Sequence, residues 1–206
     1  MKERKYCMTN RQIAAIKTRE KLLAAAKEII CTRGLTSTSV DEITERCGVS
    51  KGTFYTYFKH KEDIVFALSR GVFQEILEEA KNYGGTFLSK LKKYMTEFSG
   101  YIEKSSLKLC QEWIKNVTVP ELVKDERDKE KLFCDIAAMA ELLKDGKACG
   151  ALKPETPEEE LARMLTDILY GQMLCWCMSG GAYGFKDRTE RFCELFLESM
   201  LSKYLA

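Results

Sequence analysis

The sequence predicts an all-α chain with a small basic head and a larger helical body, the head ending near residue 62. Three observations predict it. Apolar residues recur every three or four positions almost throughout, and no stretch alternates apolar with polar as a half-buried strand would. All three prolines, Pro120, Pro154 and Pro157, fall in the later part, so nothing in the first 119 residues forbids long helices. Residues 1–61 carry 13 Lys and Arg against 6 Asp and Glu, net +7, which leaves the remainder at −5 although the whole chain of 206 residues is only +2. A basic head on a mildly acidic body points to nucleic acid or an anionic membrane surface as the head's partner.

The elements follow in order. From Ile13 to Cys31 apolar residues (Ile16, Leu22, Leu23, Ala26, Ile29, Ile30) share one helical face, with Lys17, Arg19, Glu20, Lys21 and Lys27 on the other, and Gly34 stops the helix. The run TSTSVDEI then offers Thr38 or Ser39 as an N-cap, with Asp41 and Glu42 three residues further on, as a capping box requires. A short second helix burying Val40 and Ile43 ends at the glycine turn Cys47-Gly48-Val49. Ser50 is placed to cap a third helix that begins at Lys51 or Gly52. This third helix carries Thr53, Tyr55, Thr56, Tyr57 and Lys59, while Phe54 and Phe58, four apart, anchor it to the first two. Glu62 and Asp63 open a long fourth helix running through Ile64, Leu68, Val72, Ile76 and Leu77 to the break at NYGG. Further helical segments are expected near 86–104, 105–118, 127–148, 157–179 and 187–204. The last two are apolar over so wide an arc that they must bury more than one stripe, in the core or against another chain.

Three short helices with a glycine turn between the second and third are the layout of a helix-turn-helix. A recognition helix must touch phosphates and reach base edges, and those needs select residue types. Lysines, hydroxyls and backbone N–H groups bind phosphate oxygens, and a glycine removes the side chain that would hold a strand away. Ser50, Lys51, Gly52 and Thr53 suit that start, Tyr55 and Tyr57 bring phenolic hydroxyls, and Lys59 and Lys61 add charge at the far end; Thr38, capping the second helix, is expected near a phosphate.

The stretch from Arg19 to Val65, and within it Gly48-Val49-Ser50-Lys51-Gly52-Thr53, the aromatic Tyr55, Phe58-Lys59 and Lys61-Glu62, resembles the DNA-binding region of the TetR/AcrR family of transcriptional regulators. The remainder matches in outline only, at LLKDGKACGALKPETPEEELARML. Thr44 and Cys47 stand where that family usually has alanine. Thr56 and Tyr57 stand where a second aromatic and a histidine are frequent, which alters the expected base preference. The resemblance implies a helix-turn-helix DNA-binding domain over residues 1–62 and a helical effector-binding and dimerisation domain over 63–206. It implies a homodimer paired through its last two helices, with heads meeting successive major grooves of a near-palindromic double-stranded operator about 34–36 Å apart. A small-molecule effector entering the body would swing the fourth helix and change the separation of the heads, releasing a repressor from DNA.

For that effector the candidates are Tyr94, Phe98, Tyr101, Trp113, Phe133, Met139 and Tyr170, with Glu97, Glu112 and Asp135 available to meet a cationic group. An aromatic row at helical spacing is also what a plain core looks like. The nine cysteines are odd in number and irregular in spacing, and read as reduced core thiols; a thiol-based redox-sensing regulator is the alternative function. Cys175 and Cys177 point away from each other on a helix and cannot share a metal ion, and with His60 as the single histidine no metal site is expected. No phosphate loop, serine elbow or histidine pair suggests an enzyme, and no cofactor is implied. No apolar run approaches a membrane span and the first residues lack the apolar core of a signal peptide, so a cytoplasmic protein without a membrane partner is expected.

Overall fold

A computed structural model describes residues 9–69, 72–118 and 126–206, the side chains of residues 66, 69, 116, 117 and 126–130 excepted. Among the described residues the chain is helical, without a strand; one isolated antiparallel bridge joins Leu152 and Leu205. It divides into two compact units inside its fourth helix, after Leu68, where the sequence alone puts the division after residue 62.

In the head, α1 spans Asn10–Arg33, α2 Val40–Cys47, α3 Lys51–Tyr57 and α4 Asp63–Ser69. Helix α1 begins earlier than its apolar stripe suggests because Thr9 and Gln12 form a reciprocal capping box. Leu22, Ala26, Ile29 and Ile30 on α1 are buried, as are Ile43 on α2 and Phe54 on α3. Val40 is only half-buried; Thr44 takes the second buried position of α2, its hydroxyl satisfied by the Val40 and Asp41 carbonyls. Ser39, not Thr38, caps α2, accepting a hydrogen bond from the Glu42 N–H. Gly48 ends α2 in the left-handed conformation at φ 65°, which a side chain would resist. Helix α3 ends at Tyr57, so Phe58 and Lys59 lie beyond it rather than on it. Phe58 is extended yet buried, its ring 5.4 Å from that of Phe54.

In the body, α5 spans Val72–Lys81, α6 Phe87–Ser105, α7 Leu107–Val117, α8 Glu126–Ala148 and α9 Glu158–Met178. Residues 70 and 71, on which the expected continuity of α4 and α5 depends, lie outside the described residues. After α9 comes α10, Phe185–Phe192, which passes through a π-helical turn at Cys193–Leu197 into α11, Glu198–Leu201. The main core joins Phe73, Ile76 and Leu77 of α5, Leu91, Tyr94, Met95 and Phe98 of α6, Met139 and Leu143 of α8, Leu161, Leu165 and Leu169 of α9, and Leu197 and Leu201 of the tail. A smaller cluster holds Cys110, Met173, Trp176, Cys177 and Phe185. Helices α6 and α7 meet at Ser106, whose φ of 117° is rare for a residue with a side chain and whose hydroxyl caps α7. Among the described residues no helix is long and apolar enough to cross a membrane.

Candidate nucleic-acid interface and internal polar site

The outer face of α3 is built by the residues that fix its inner face. Ser50 caps the helix, its hydroxyl accepting from the Thr53 N–H at 3.1 Å and lying 3.0 Å from the Thr53 hydroxyl. Phe54 and Phe58 hold the helix from inside, with the Arg19 guanidinium 5.5 Å over the Phe58 ring. Tyr55 rests edge-on against Phe54 at 5.3 Å and remains 53% exposed. A Cβ added at Gly52 would meet Ser50 Oγ at 3.6 Å, an ordinary contact, so nothing inside the fold demands glycine at that exposed position. A partner approaching closely from outside does supply such a demand. The Lys51 ammonium lies 2.7 Å from the Asp41 carboxylate, and that hydrogen bond raises the lysine above its ordinary range. Lys51 is therefore charged and tied to the first turn of α2.

The structure thus brings Ser50, Lys51, Gly52, Thr53, Tyr55, Tyr57 and Lys59 together along one short segment. Thr38 and Lys61 serve the fold. Thr38 is 2% exposed, and its hydroxyl donates to the Gly34 carbonyl at 2.7 Å. Lys61 Nζ donates to the carbonyls of Leu35 at 2.9 Å and Thr38 at 2.8 Å, closing the loop between α1 and α2. Several carbonyls converge there, and an ammonium satisfies more than one of them. His60 is half-buried just past α3, and its backbone N–H donates to Asp63 at the start of α4.

The body holds a second arrangement. On α8, Asp135 is buried and receives both the Lys131 ammonium from one turn earlier and the Tyr170 hydroxyl, 2.6 Å away on α9. The ammonium also lies 3.9 Å above the ring of Phe73 and 5.7 Å from that of Phe98. Phe73 lies tilted against Phe98 with ring centres 4.6 Å apart and meets Tyr101 edge-on at 5.5 Å, while Trp113 meets Tyr170 edge-on at 5.8 Å. Beside them the Tyr94 hydroxyl and the Trp113 indole N–H are buried without a hydrogen-bond partner. Burial dominates the acid–base behaviour: it lowers Lys131 despite its carboxylate neighbour, and it raises the Tyr94 and Tyr170 phenols, with the Asp135 charge adding to both.

Of the aromatic candidates, Tyr94, Phe98, Tyr101, Trp113 and Tyr170 meet around this ion pair, and Met139 is buried in the same core. Phe133 does not; it lies on the far side of α8, 61% exposed, two residues from Asp135 and hence on the opposite helical face. Glu97 pairs instead with Lys93 and Lys186, which hold its carboxyl below the usual range. The sequence reading misses Lys131 and Phe73, although the spacing of Lys131 and Asp135, four apart, is a usable signal. Among the described residues no group of three or more His, Cys, Asp or Glu is placed to hold a metal ion.

A short helix set on a glycine turn, locked from inside by two phenylalanines and presenting a tyrosine and lysines outward, defines a helix-turn-helix DNA-binding regulator. Residues 22–68 match the family model for bacterial regulatory proteins of the tetR family. The transcriptional regulator UidR of Escherichia coli is 26% identical over 80% of this chain and 84% of its own length. The repressor KstR2 of Mycolicibacterium smegmatis is 26% identical over 87% and 88%. A solved structure of Thermus thermophilus FadR, a TetR-family repressor in complex with lauroyl-CoA, superposes with a TM-score of 0.69 over 89% of this chain and 95% of that one, at 23% identity. Residues 22–68 thus carry the DNA-binding region of the tetR family, and the proteins that the chain resembles over most of its length are transcriptional regulators.

Proposed function

We propose that the protein is a repressor that binds a near-palindromic operator as a homodimer and leaves it when a small molecule enters the body. The observation that carries the reading is the outer face of α3, where Lys51, Gly52 and Tyr55 are exposed on a helix whose inner face is fixed, with Lys59 exposed just beyond its end. Pairing through the last helices is supported by their surface. Met164, Gly171, Leu174 and Met178 follow one another at helical spacing along α9, with Met178 78% exposed, and Leu195, Phe196 and Met200 continue an apolar face in the tail. A Cβ added at Gly171 would meet nothing within 4 Å, so the stripe leaves room for a close neighbour.

The internal polar site supports the effector half of the reading. Tyr94 and Trp113 offer donors that the fold leaves unused, and an aromatic effector bearing an acceptor oxygen would satisfy them. A cytoplasmic place of action follows from an operator partner. The test is selection of bound sequences from a random duplex pool by the purified protein at moderate salt, where phosphate contacts alone do not dominate. A two-fold-symmetric site is expected. Recovery of unselected DNA, or of none, would overturn the reading of α3.

A further inference from the structure

Cys110 on α7 and Cys177 on α9 lie 67 positions apart in sequence, yet their sulfurs are 3.3 Å apart in the smaller body core. Periodicity does not reveal this, because α9 turns Cys177 inward and Cys175 outward, and the partner of Cys177 comes from a different helix. Both cysteines are unbridged, and their sulfurs already touch. A disulfide needs them at about 2.05 Å, a displacement of roughly one ångström shared between two helices.

We propose that Cys110 and Cys177 form an oxidation site, a thiol pair that hydroperoxides convert to a disulfide tying α7 to α9. The chemistry is a two-electron oxidation. The Cys177 sulfur attacks one peroxide oxygen; an S–O bond forms, the O–O bond breaks and an alcohol leaves, with water in its place for hydrogen peroxide itself. The Cys110 sulfur then attacks the sulfenic sulfur; the S–S bond forms, the S–O bond breaks, and hydroxide leaves as water with the Cys110 proton. Two thiols and one hydroperoxide become one disulfide, one alcohol and one water. The order of attack follows from the environment. The contact with Cys110 at 3.3 Å holds the Cys177 thiol below its ordinary range, while that contact and burial push Cys110 up. Cys177 is also the next-to-last residue of α9, beside the exposed turn over Ser179, Gly180 and Gly181, which gives a small oxidant a short path.

The bond would fall on a seam that already joins α7 to α9. Gln111 Nε2 donates to the Cys177 carbonyl at 3.0 Å, and one turn from Cys110 the Trp113 ring meets Tyr170 at the internal polar site. Oxidation would fasten the two helices on which that site's wall rests, so it acts on the same body helices that the effector reading uses. The disulfide itself depends on neither the operator nor the effector.

The experiment treats the full-length protein with cumene hydroperoxide, blocks remaining thiols, and maps linked peptides by mass spectrometry beside a thermal melt followed by tryptophan fluorescence. The expected result is a 110–177 crosslink and a raised, reductant-sensitive melting temperature. Both should persist in Cys175→Ser and vanish in Cys177→Ser and Cys110→Ser. Oxidation confined to Cys134, Cys149 or Cys175, or a crosslink that leaves the melt unmoved, overturns the proposal. Because neither readout uses DNA, a failure here is distinct from a failure of the repressor reading.

Discussion

In the head, Leu22, Ile30, Ile43 and Phe54 are buried while the tyrosine and lysines of α3 face outward. In the body, the Lys131–Asp135 pair, two phenols and an indole N–H are sealed inside, while Met178, Leu195 and Phe196 face outward. The difference teaches what each part is built to meet. Outward charge and hydroxyls suit a hydrated, charged polymer. Polar groups kept dry inside bind strongly only to something small enough to enter, and an outward apolar face suits another protein surface. The head therefore uses a conventional core to hold a polar surface, and the body accepts a costly core beneath an apolar one.

Four outcomes test this contrast, beginning with the largest. Phe54→Ala should cost the head about 3–5 kcal/mol and abolish operator binding. Trp113 and Trp176 both lie in the body, so the tryptophan unfolding transition should stay where it is; a matching shift would show that the two units unfold as one. Asp135→Ala strands the Lys131 ammonium and should lower body stability by about 3 kcal/mol in urea unfolding, leaving the head's hydrogen exchange unchanged. Tyr55→Ala should weaken operator binding by tenfold to a hundredfold, about 1–3 kcal/mol, with the dimer and the melting temperature retained; undiminished binding would remove α3 as the reading element.

The smallest effect concerns pH. Burial holds the Tyr94 phenol well above its ordinary value. The folded state keeps this proton when the unfolded chain has lost it, so the stabilisation is complete below about pH 10 and declines above it, by at most about 1.4 kcal/mol per pH unit. Stability of Tyr94→Phe should fall less steeply than wild type in that range, measured by urea unfolding at several alkaline pH values. Equal slopes would mean that the hydroxyl is not sealed.

The head was legible because its signals are local. A cap, a glycine turn and two phenylalanines four apart are each read within a few residues, and the structure keeps Ser50, Gly48 and Phe54 in the roles their types suggest. The errors there are also local: Ser39 and Thr38 are both able caps, and the choice depends on which hydroxyl the Gly34 carbonyl captures. The aromatic cluster of the body was partly legible, since Tyr94, Phe98 and Tyr170 fall on buried faces. The contacts that give it chemistry were not. Tyr170 meets Asp135 across 35 positions, and Cys110 meets Cys177 across 67. Helix periodicity says which face is inward but not which neighbour it finds.

The π-helical turn at Cys193–Leu197 accommodates one residue more than an α-helix would in the same rise. Beyond it Leu201 is buried, and the last residues return to the α8–α9 connection, where the Lys153 N–H donates to the Tyr204 carbonyl at 2.9 Å. Deleting one residue within the turn would rotate everything after it by about 100°, moving Met200 off the apolar face and Leu201 out of the core. A change in chain length at this point, more than any substitution, thus resets which side chains the tail turns outward and which it buries.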